Sequence, residues 1–399
     1  MHWKSILSRQ ASLEAAINEA LDRLKEFAPP IDLAFVFVQS SWAREMDQIS
    51  GRLRRGLNAR VMIGCTGGGV IGDALEVEAQ PALSLTVASL PGVELTGFHL
   101  EDHELPSPDA PPESWREAIG LTDWKSRPDF ILLADPFEFE LNALLRGLDY
   151  AYPRSLKLGG VASDARQPGG NRLILNQHLH RRGVVGLALG GKIQVQSVVA
   201  QGCRPIGQPI RITRSERNVI LELDGHTPLQ VLEKVLGELS ASDRKVAQSS
   251  LFIGIRTEPE FNLDNILGNR PRLGGDFLIR NLLSLDPRRQ ALVVGALVRT
   301  GQTVQFHLRD AQASTDDLEK MLDRYQQQGK QPCGGVLFSC LGRGEHLYKQ
   351  ANHDSRQFRR RFPQAALGGF FCNGEIGPVG DTSYLHGYTS CFAMIGPED

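Results

Sequence analysis

Residues 334–348, GGVLFSCLGRGEHLY, run from a continuous apolar stretch into a glycine-bracketed loop that carries a cysteine and an arginine. The apolar stretch is short and shows no helical stripe, so it reads as a β-strand buried on both faces. The segments after the loop set the fold. A helical segment places Phe358 and Phe362 one turn apart, and LGGFFCNGEIG, residues 367–377, supplies a second strand with glycines near its end. The last strand is SYLHGYTSCFAMIG, residues 383–396. Strand, helix, glycine-motif strand and hairpin together form one unit of an α/β fold.

The same order recurs upstream. DLAFVFVQS, residues 32–40, is followed by a helical stripe of Trp42, Met46, Ile49, Leu53 and Leu57, then by ARVMIG and the glycine-rich GCTGGGVIGD, residues 64–73. ALSLTVASL and VELTGFHL flank Pro91-Gly92 and read as a hairpin. A second copy runs from FILLADP through a helix with Leu141, Leu144, Leu145 and Leu148 to KLGGVASD, closing on a hairpin across Gly190-Gly191. A third runs from LFIGIR through LGGDFLIRN to strands flanking Thr300-Gly301, and the opening stretch begins the fourth. The reading is layered mixed β-sheets flanked by helices, built from about four repeated units. Two units per domain give domains 1–224 and 225–399, with the break near Asp224 in a turn-rich polar run. After it, Thr227-Pro228 starts a helix bearing Leu229, Leu232, Leu236 and Leu239. A separate first helix spans roughly residues 11–27, with Leu13, Ile17, Leu21 and Leu24 on one face.

Composition narrows the function. Lys and Arg total 44 against 46 Asp and Glu, a net charge of −2, so no overall field attracts nucleic acid or an anionic membrane. The apolar runs are too short for a spanning helix or a secretory signal, and six cysteines without a CxxC pair point to thiols in a reducing compartment. The chain reads as cytoplasmic, with no nucleic-acid partner and no membrane insertion.

Several motifs promise more than their context supports. GCTGGGVIGD lacks the helix that a dinucleotide cradle needs directly after its glycines. GLALGGKI has P-loop spacing, but Ile193 stands where Ser or Thr would ligate magnesium. GGDF, residues 274–277, resembles a cyclic-dinucleotide synthase signature without its remaining residues. No HExxH occurs, so the metal content stays unknown from sequence. A single axial histidine would suffice for haem, and His178, His180, His226, His307, His346, His353 and His386 are equivalent candidates. Asp316, Asp317 and Glu319 fit the first turn of a helix starting at Ser314, and Arg359 to Arg361 an exposed helix face.

The strand-end polar clusters survive this pruning, because the carboxyl ends of central strands are where side chains and amides converge on one rim. Cys65 and Thr66 end one strand, Ser163 and Asp164 a second, Asp276 a third, and Cys372, Asn373 and Glu375 a fourth. FSCLGRG lies beside the last cluster if their strands share a sheet. Each cysteine is equally readable as a small buried hydrophobe. Arg343 and Glu375 can pair with each other or hold a zwitterionic or carboxylate ligand.

LFSCLGRGEHLY, LGGFFCNGEIGPVG and LHGYTSCFAMIG resemble the C-terminal half of the FIST family, and VMIGCTGGGVIG its N-terminal half; the resemblance spans about residues 30–397. It implies a sensory module of two FIST domains that binds small ligands such as amino acids. It also implies a link to histidine kinase, chemoreceptor or cyclic-dinucleotide machinery. By the resemblance, Cys340, Gly342, Arg343, Asn373, Gly374 and Glu375 match the C-terminal motif, and Cys65, Thr66 and Gly67 the N-terminal one. The expected function is a cytoplasmic, non-enzymatic ligand sensor that signals through a separate partner, with Arg343 and Glu375 gripping the ligand's two charges and no cofactor required. The alternatives are a haem-based nitric oxide sensor of the same family and a thiol enzyme using Cys340 or Cys372 with His346 or His386 as base.

Overall fold

The computed structural model describes residues 1–27, 30–121, 127–257 and 277–398, with the backbone alone at 48–50. The fold is mixed α/β, as the sequence predicts, and it divides into two compact units. The first comprises Met1–Val199, Met321–Pro378 and Thr382–Asp399; the second is essentially Ala200–Lys320. This spatial division differs from a sequential split near Asp224. The chain leaves the first unit, builds the second and returns.

The first unit holds three six-stranded sheets of one design. In the first sheet the order is His2–Ser8, Leu83–Ser89, Leu33–Gln39, Val61–Gly67, Leu173–Leu175 and His178–His180. The second runs Val93–Leu100, Val184–Gly191, Asp129–Ala134, Lys157–Val161, Glu375–Val379 and Thr382–His386. The third runs Gln194–Ala200, Ser390–Gly396, Gly334–Cys340, Ala366–Cys372, Gly69–Gly72 and Leu75–Glu78. Each sheet has a parallel pair at its centre, flanked on one side by its own antiparallel strands and on the other by a hairpin from a different copy. The first copy lends its hairpin to the third sheet, the second to the first and the third to the second. A cyclic exchange of this kind locks three copies around one core.

The register confirms the threefold design. In each parallel pair a glycine lies opposite the middle of the first strand: Gly64 by Val36, Gly159 by Leu132 and Gly369 by Leu337. A Cβ there would fall 1.8, 1.9 and 2.0 Å from the neighbouring strand's carbonyl oxygen, so only glycine permits the close approach. The borrowed hairpin places an isoleucine opposite each of these glycines: Ile174, Ile376 and Ile71.

Three copies, not four, therefore make the repeat. The stretch read as a third copy belongs to the second unit, a closed six-stranded barrel ordered Arg204–Glu216, Val219–Leu223, Ala291–Val294, Phe277–Asp286, Leu251–Arg256 and Thr303–Leu308. Its strands pair antiparallel throughout, whereas every true copy carries a parallel pair. The long strand Arg204–Glu216 pairs with a neighbour at each end, and closure leaves no exposed sheet edge. Ile212, Ile220, Leu223, Ile253, Leu292 and Phe306 pack its buried cluster. Gly274, Gly275 and Asp276 lie outside the described residues.

The supposed hairpins are also corrected. The strands on either side of Pro91-Gly92 lie in different sheets, as do those flanking Gly190-Gly191. The strands around Thr300-Gly301 share the barrel but are not neighbours in it. His2–Ser8, which carries no clear sequence signal, supplies an edge strand.

Apolar faces explain the layers. Phe35, Phe37, Ile63, Ile131, Leu133, Leu158, Val336, Phe338 and Phe370 from all three sheets share one core. The helices cover outer faces: Leu13, Ile17 and Leu24 of Leu13–Leu24 pack with Met62 and Leu85, and Leu144 and Leu148 of Leu141–Ala151 pack with Phe130 and Leu132. Burying a side chain of this size contributes roughly 1.5–3 kcal/mol. Ser12 caps its helix by accepting from the Ala15 N–H at 3.2 Å. Thr227 forms the expected cap of Pro228–Gly237. The helix read as starting at Ser314 starts at Ala311, where Asp310 accepts from the Ala313 N–H at 2.7 Å. No described helix is long and apolar enough to cross a membrane.

Candidate functional site

The exchanged hairpins bring the carboxyl ends of all three parallel pairs together. Gly67 lies against Phe370, a Cβ on Gly68 would lie 2.7 Å from Leu341 and 3.3 Å from Asp164, and Ser163 donates to the Phe371 carbonyl. Ser40 in turn hydrogen-bonds to Asp164. The Asn373 N–H donates to the Val161 carbonyl and the Val161 N–H to the Gly374 carbonyl, each at 2.9 Å. Asn373, Asp164 and Leu341 are exposed on this rim, and Cys340 and Gly342 are partly exposed.

The predicted residues take different places around it. Cys65 is buried in the central core, where burial pushes its thiol well above the usual value. Thr66 is also buried and accepts from the Arg172 N–H at 3.0 Å. The third copy holds the rest. Cys340 pairs in register with Cys372, and the Cys372 thiol donates to Glu375 Oε1 at 3.3 Å. Glu375 Oε2 accepts from the Thr389 N–H at 2.9 Å. Burial pushes the Glu375 carboxyl up to about 8, against the pull of Thr389, Cys372, Arg343 and Cys340, so it is mostly protonated at neutral pH. Burial, then the adjacent Glu375, raises the Cys372 thiol well above its ordinary value.

Arg343 is fully buried, and its main partner is one the sequence reading missed. Its Nε donates to Asp354 Oδ2 at 2.8 Å and its Nη2 to Asp354 Oδ1 at 3.3 Å. Further bonds reach Tyr348 Oη at 2.5 Å and the Tyr388 carbonyl at 3.3 Å. His353 Nδ1 lies 2.9 Å from Asp354 Oδ1, and its ring stacks on Tyr348 at 3.5 Å. Burial opposes ionisation of Asp354, but Arg343 and His353 outweigh it and hold the carboxyl well below the ordinary range. The bidentate geometry that would suit a ligand carboxylate is thus occupied by Asp354.

Two glutamates on the hairpin borrowed from the first copy complete the cluster. Glu76 Oε1 accepts from the Ser355 N–H at 2.7 Å, in the first turn of His353–Arg361, while its buried Oε2 has no hydrogen-bond partner. Glu78 Oε1 accepts from the Glu345 N–H at 2.9 Å, in the first turn of Gly344–Tyr348. Gly344 has φ +57°, and a Cβ there would fall 2.3 Å from Glu78, so glycine is required on both counts. Burial, then the Asp354 charge, pushes Glu76 up to about 8. The alternation of LEVE, residues 75–78, was the available signal for this pair.

His307, His353 and His386 each set a ring nitrogen against a protein partner, and His99 and His180 stack on one another at 3.6 Å. The group beside Cys372 is Glu375, not His346, and His386 Nε2 lies 3.1 Å from the Gly377 carbonyl. Among the described residues no group of three or more His, Cys, Asp or Glu is placed to hold a metal ion.

Comparison with known proteins agrees with the sequence resemblance. Residues 32–226 match the FIST N domain and residues 228–378 the FIST C domain. An uncharacterized protein of Mycobacterium tuberculosis is 33% identical over 389 residues, covering 97% of this chain and 96% of its own. Human F-box only protein 22 is 36% identical over 77 residues, covering 15% of this chain and 19% of its own. A solved cyanuric acid hydrolase aligns over 100% of this chain and 99% of its own at 12% identity and a TM-score of 0.30, too low to carry an argument. With both domains matched across most of its length, the chain belongs to the FIST family of sensory domains.

Proposed function

We propose that the chain binds a small polar ligand, such as an amino acid or related metabolite, at the strand-end rim of its third copy and passes the signal to a separate partner protein. One observation carries this reading. On the three borrowed hairpins the residue just before the isoleucine in matching register is Val70, Leu173 and Glu375. Two copies satisfy that position with an apolar side chain, while the third buries a carboxyl there at a desolvation cost. A protonated carboxyl beside the partly exposed Cys340 and the exposed Asn373 can both donate and accept a hydrogen bond to a polar ligand. Arg343, held by Asp354, acts behind this surface by fixing the loop and supplying field. A signal arises only if the ligand binds two conformations unequally.

The test is a thermal-shift screen of amino acids and related metabolites on the full chain, repeated on Glu375→Gln and Asn373→Ala. A true ligand stabilises the wild type and loses most of that shift in Glu375→Gln. A hit with undiminished stabilisation in both variants removes the rim from the reading.

A further inference from the structure

The structure assigns Cys340 and Cys372 as a dithiol–disulfide couple, closed by a hydroperoxide and reopened by a small dithiol. The couple stands apart from the ligand reading, because it rests on register and thiol contacts rather than on what occupies the rim.

The two cysteines are the last residues of neighbouring parallel strands and lie directly opposite one another. Paired strands run about 4.8 Å apart, inside the roughly 4.4–6.8 Å between Cα atoms that a disulfide spans. Val336 and Phe338 face the central core together with Cys372, so strand alternation puts Cys340 on that same side. Leu341 and Gly342 come directly after, and a strand end adjusts more readily than a strand centre. The corresponding pairs in the other copies are Gln39 with Gly67 and, one step past the last paired residues, Asp135 with Ala162. Only the third copy places sulfur on both strands.

Exposure divides the roles. Cys340 is partly exposed and meets the peroxide; Cys372 is buried behind it and resolves. In the first step the Cys340 sulfur attacks the peroxide, the O–O bond breaks, Cys340–SH becomes Cys340–SOH, and the alcohol or water leaves. In the second the Cys372 sulfur attacks Cys340, the S–O bond breaks, the S–S bond forms, and water leaves with the thiol proton. The Glu375 carboxyl, whose Oε1 accepts the Cys372 hydrogen bond and which also interacts with Cys340, lies beside both sulfurs. A dithiol reverses the change, itself becoming a disulfide. Closure removes both thiol donors from the Glu375 carboxyl, so oxidation strengthens its hold on a proton.

To test this, the reduced full chain is treated with an equimolar amount of hydrogen peroxide, blocked with N-ethylmaleimide and digested with trypsin. Cys340 lies in peptide 331–343 with Cys333, and Cys372 in peptide 362–399 with Cys391, so fragmentation must locate the sulfurs. The expected product joins Cys340 to Cys372 and disappears with dithiothreitol. Cys391→Ser retains the cross-link, whereas Cys372→Ser loses it and labels several-fold more strongly with dimedone at Cys340. Alkylation of both cysteines after peroxide, a bridge through Cys333 or Cys391, or equal dimedone labelling in wild type and Cys372→Ser would overturn the assignment.

Discussion

The strand ends of the first and third copies share a backbone and a register, yet they differ in kind. In the first, Gln39 and Gly67 end the parallel pair and the borrowed hairpin sets Leu173 beside Cys65. In the third, Cys340 and Cys372 end the pair, and Arg343 and Asp354 form a buried ion pair beyond it. The equivalent of Leu173 on the third copy's own hairpin is Glu375, and Gly160 opposes it where the other sheets have Cys65 and Phe370. One architecture thus accommodates an apolar plug or a polar cluster, and the choice lies in a few side chains. The fold does not require the polar cluster, which is why the third copy is the place to look for function.

The largest effect that can test this contrast is at the buried ion pair. Arg343→Met leaves Asp354 buried without its main counter-charge, and unfolding in urea should show a loss of about 3–5 kcal/mol. Combining it with Asp354→Leu should recover much of that loss; a double variant whose loss equals the sum of the two single losses would show that the pair is not coupled. Next come the three glycines that the copies share. Gly64→Ala, Gly159→Ala and Gly369→Ala each force a methyl group against a carbonyl, and each should cost about 1–3 kcal/mol or more. If Gly369 tolerates alanine while the others do not, the third copy is more relaxed than its register implies.

The strand, helix and glycine-motif pattern was legible because apolar runs and glycines report local geometry. Hand-over between sheets was not legible. ALSLTVASL and VELTGFHL carry the same alternation whether they pair or diverge, since Pro91-Gly92 permits both, and their partners lie far away in sequence. The barrel segment copied the same composition with antiparallel pairing, which strand propensity does not distinguish. Within the site, Glu375 and Cys372 stood out by adjacency. Asp354 did not, because its bond to Arg343 depends on how the helix His353–Arg361 packs. Glu76 and Glu78 arrive from a hairpin more than 250 residues earlier in the chain, and only the cyclic exchange brings them there.

Converting the third copy toward its siblings tests the cost of its polar character. Glu375 has an ordinary value of 4.5 and a folded value of about 8. Between these the folded state keeps a proton that the unfolded chain has released, so stability falls as pH rises, by up to about 1.4 kcal/mol per pH unit. Glu375→Leu removes that slope but leaves the Thr389 N–H without its acceptor, at roughly 1–3 kcal/mol. The variant should therefore be less stable than wild type at pH 5 and gain on it steadily up to pH 8. Urea titrations at both values check this; a constant difference would mean that Glu375 ionises as an ordinary carboxyl.

Glu76 gives the smallest and cleanest effect, because a neutral replacement can keep its contact. It lies opposite Ile71, as Leu179 lies opposite Ile174 in the second copy, so it too is a carboxyl where a sibling is apolar. Its own window also runs from 4.5 to about 8, raised by burial first and then by the Asp354 charge. Glu76→Gln retains an oxygen to accept from Ser355 and cannot ionise. Near pH 5 the carboxyl is protonated in the folded state, so the variant should match wild type to within about 0.5 kcal/mol. As pH rises the wild type alone must either ionise Glu76 next to Asp354 or hold its proton against solvent, and the variant should become the more stable of the two. If the two curves stay parallel from pH 5 to pH 8, Glu76 is not among the groups that make the third sheet's polar cluster sensitive to pH, and that sensitivity narrows to Glu375 alone.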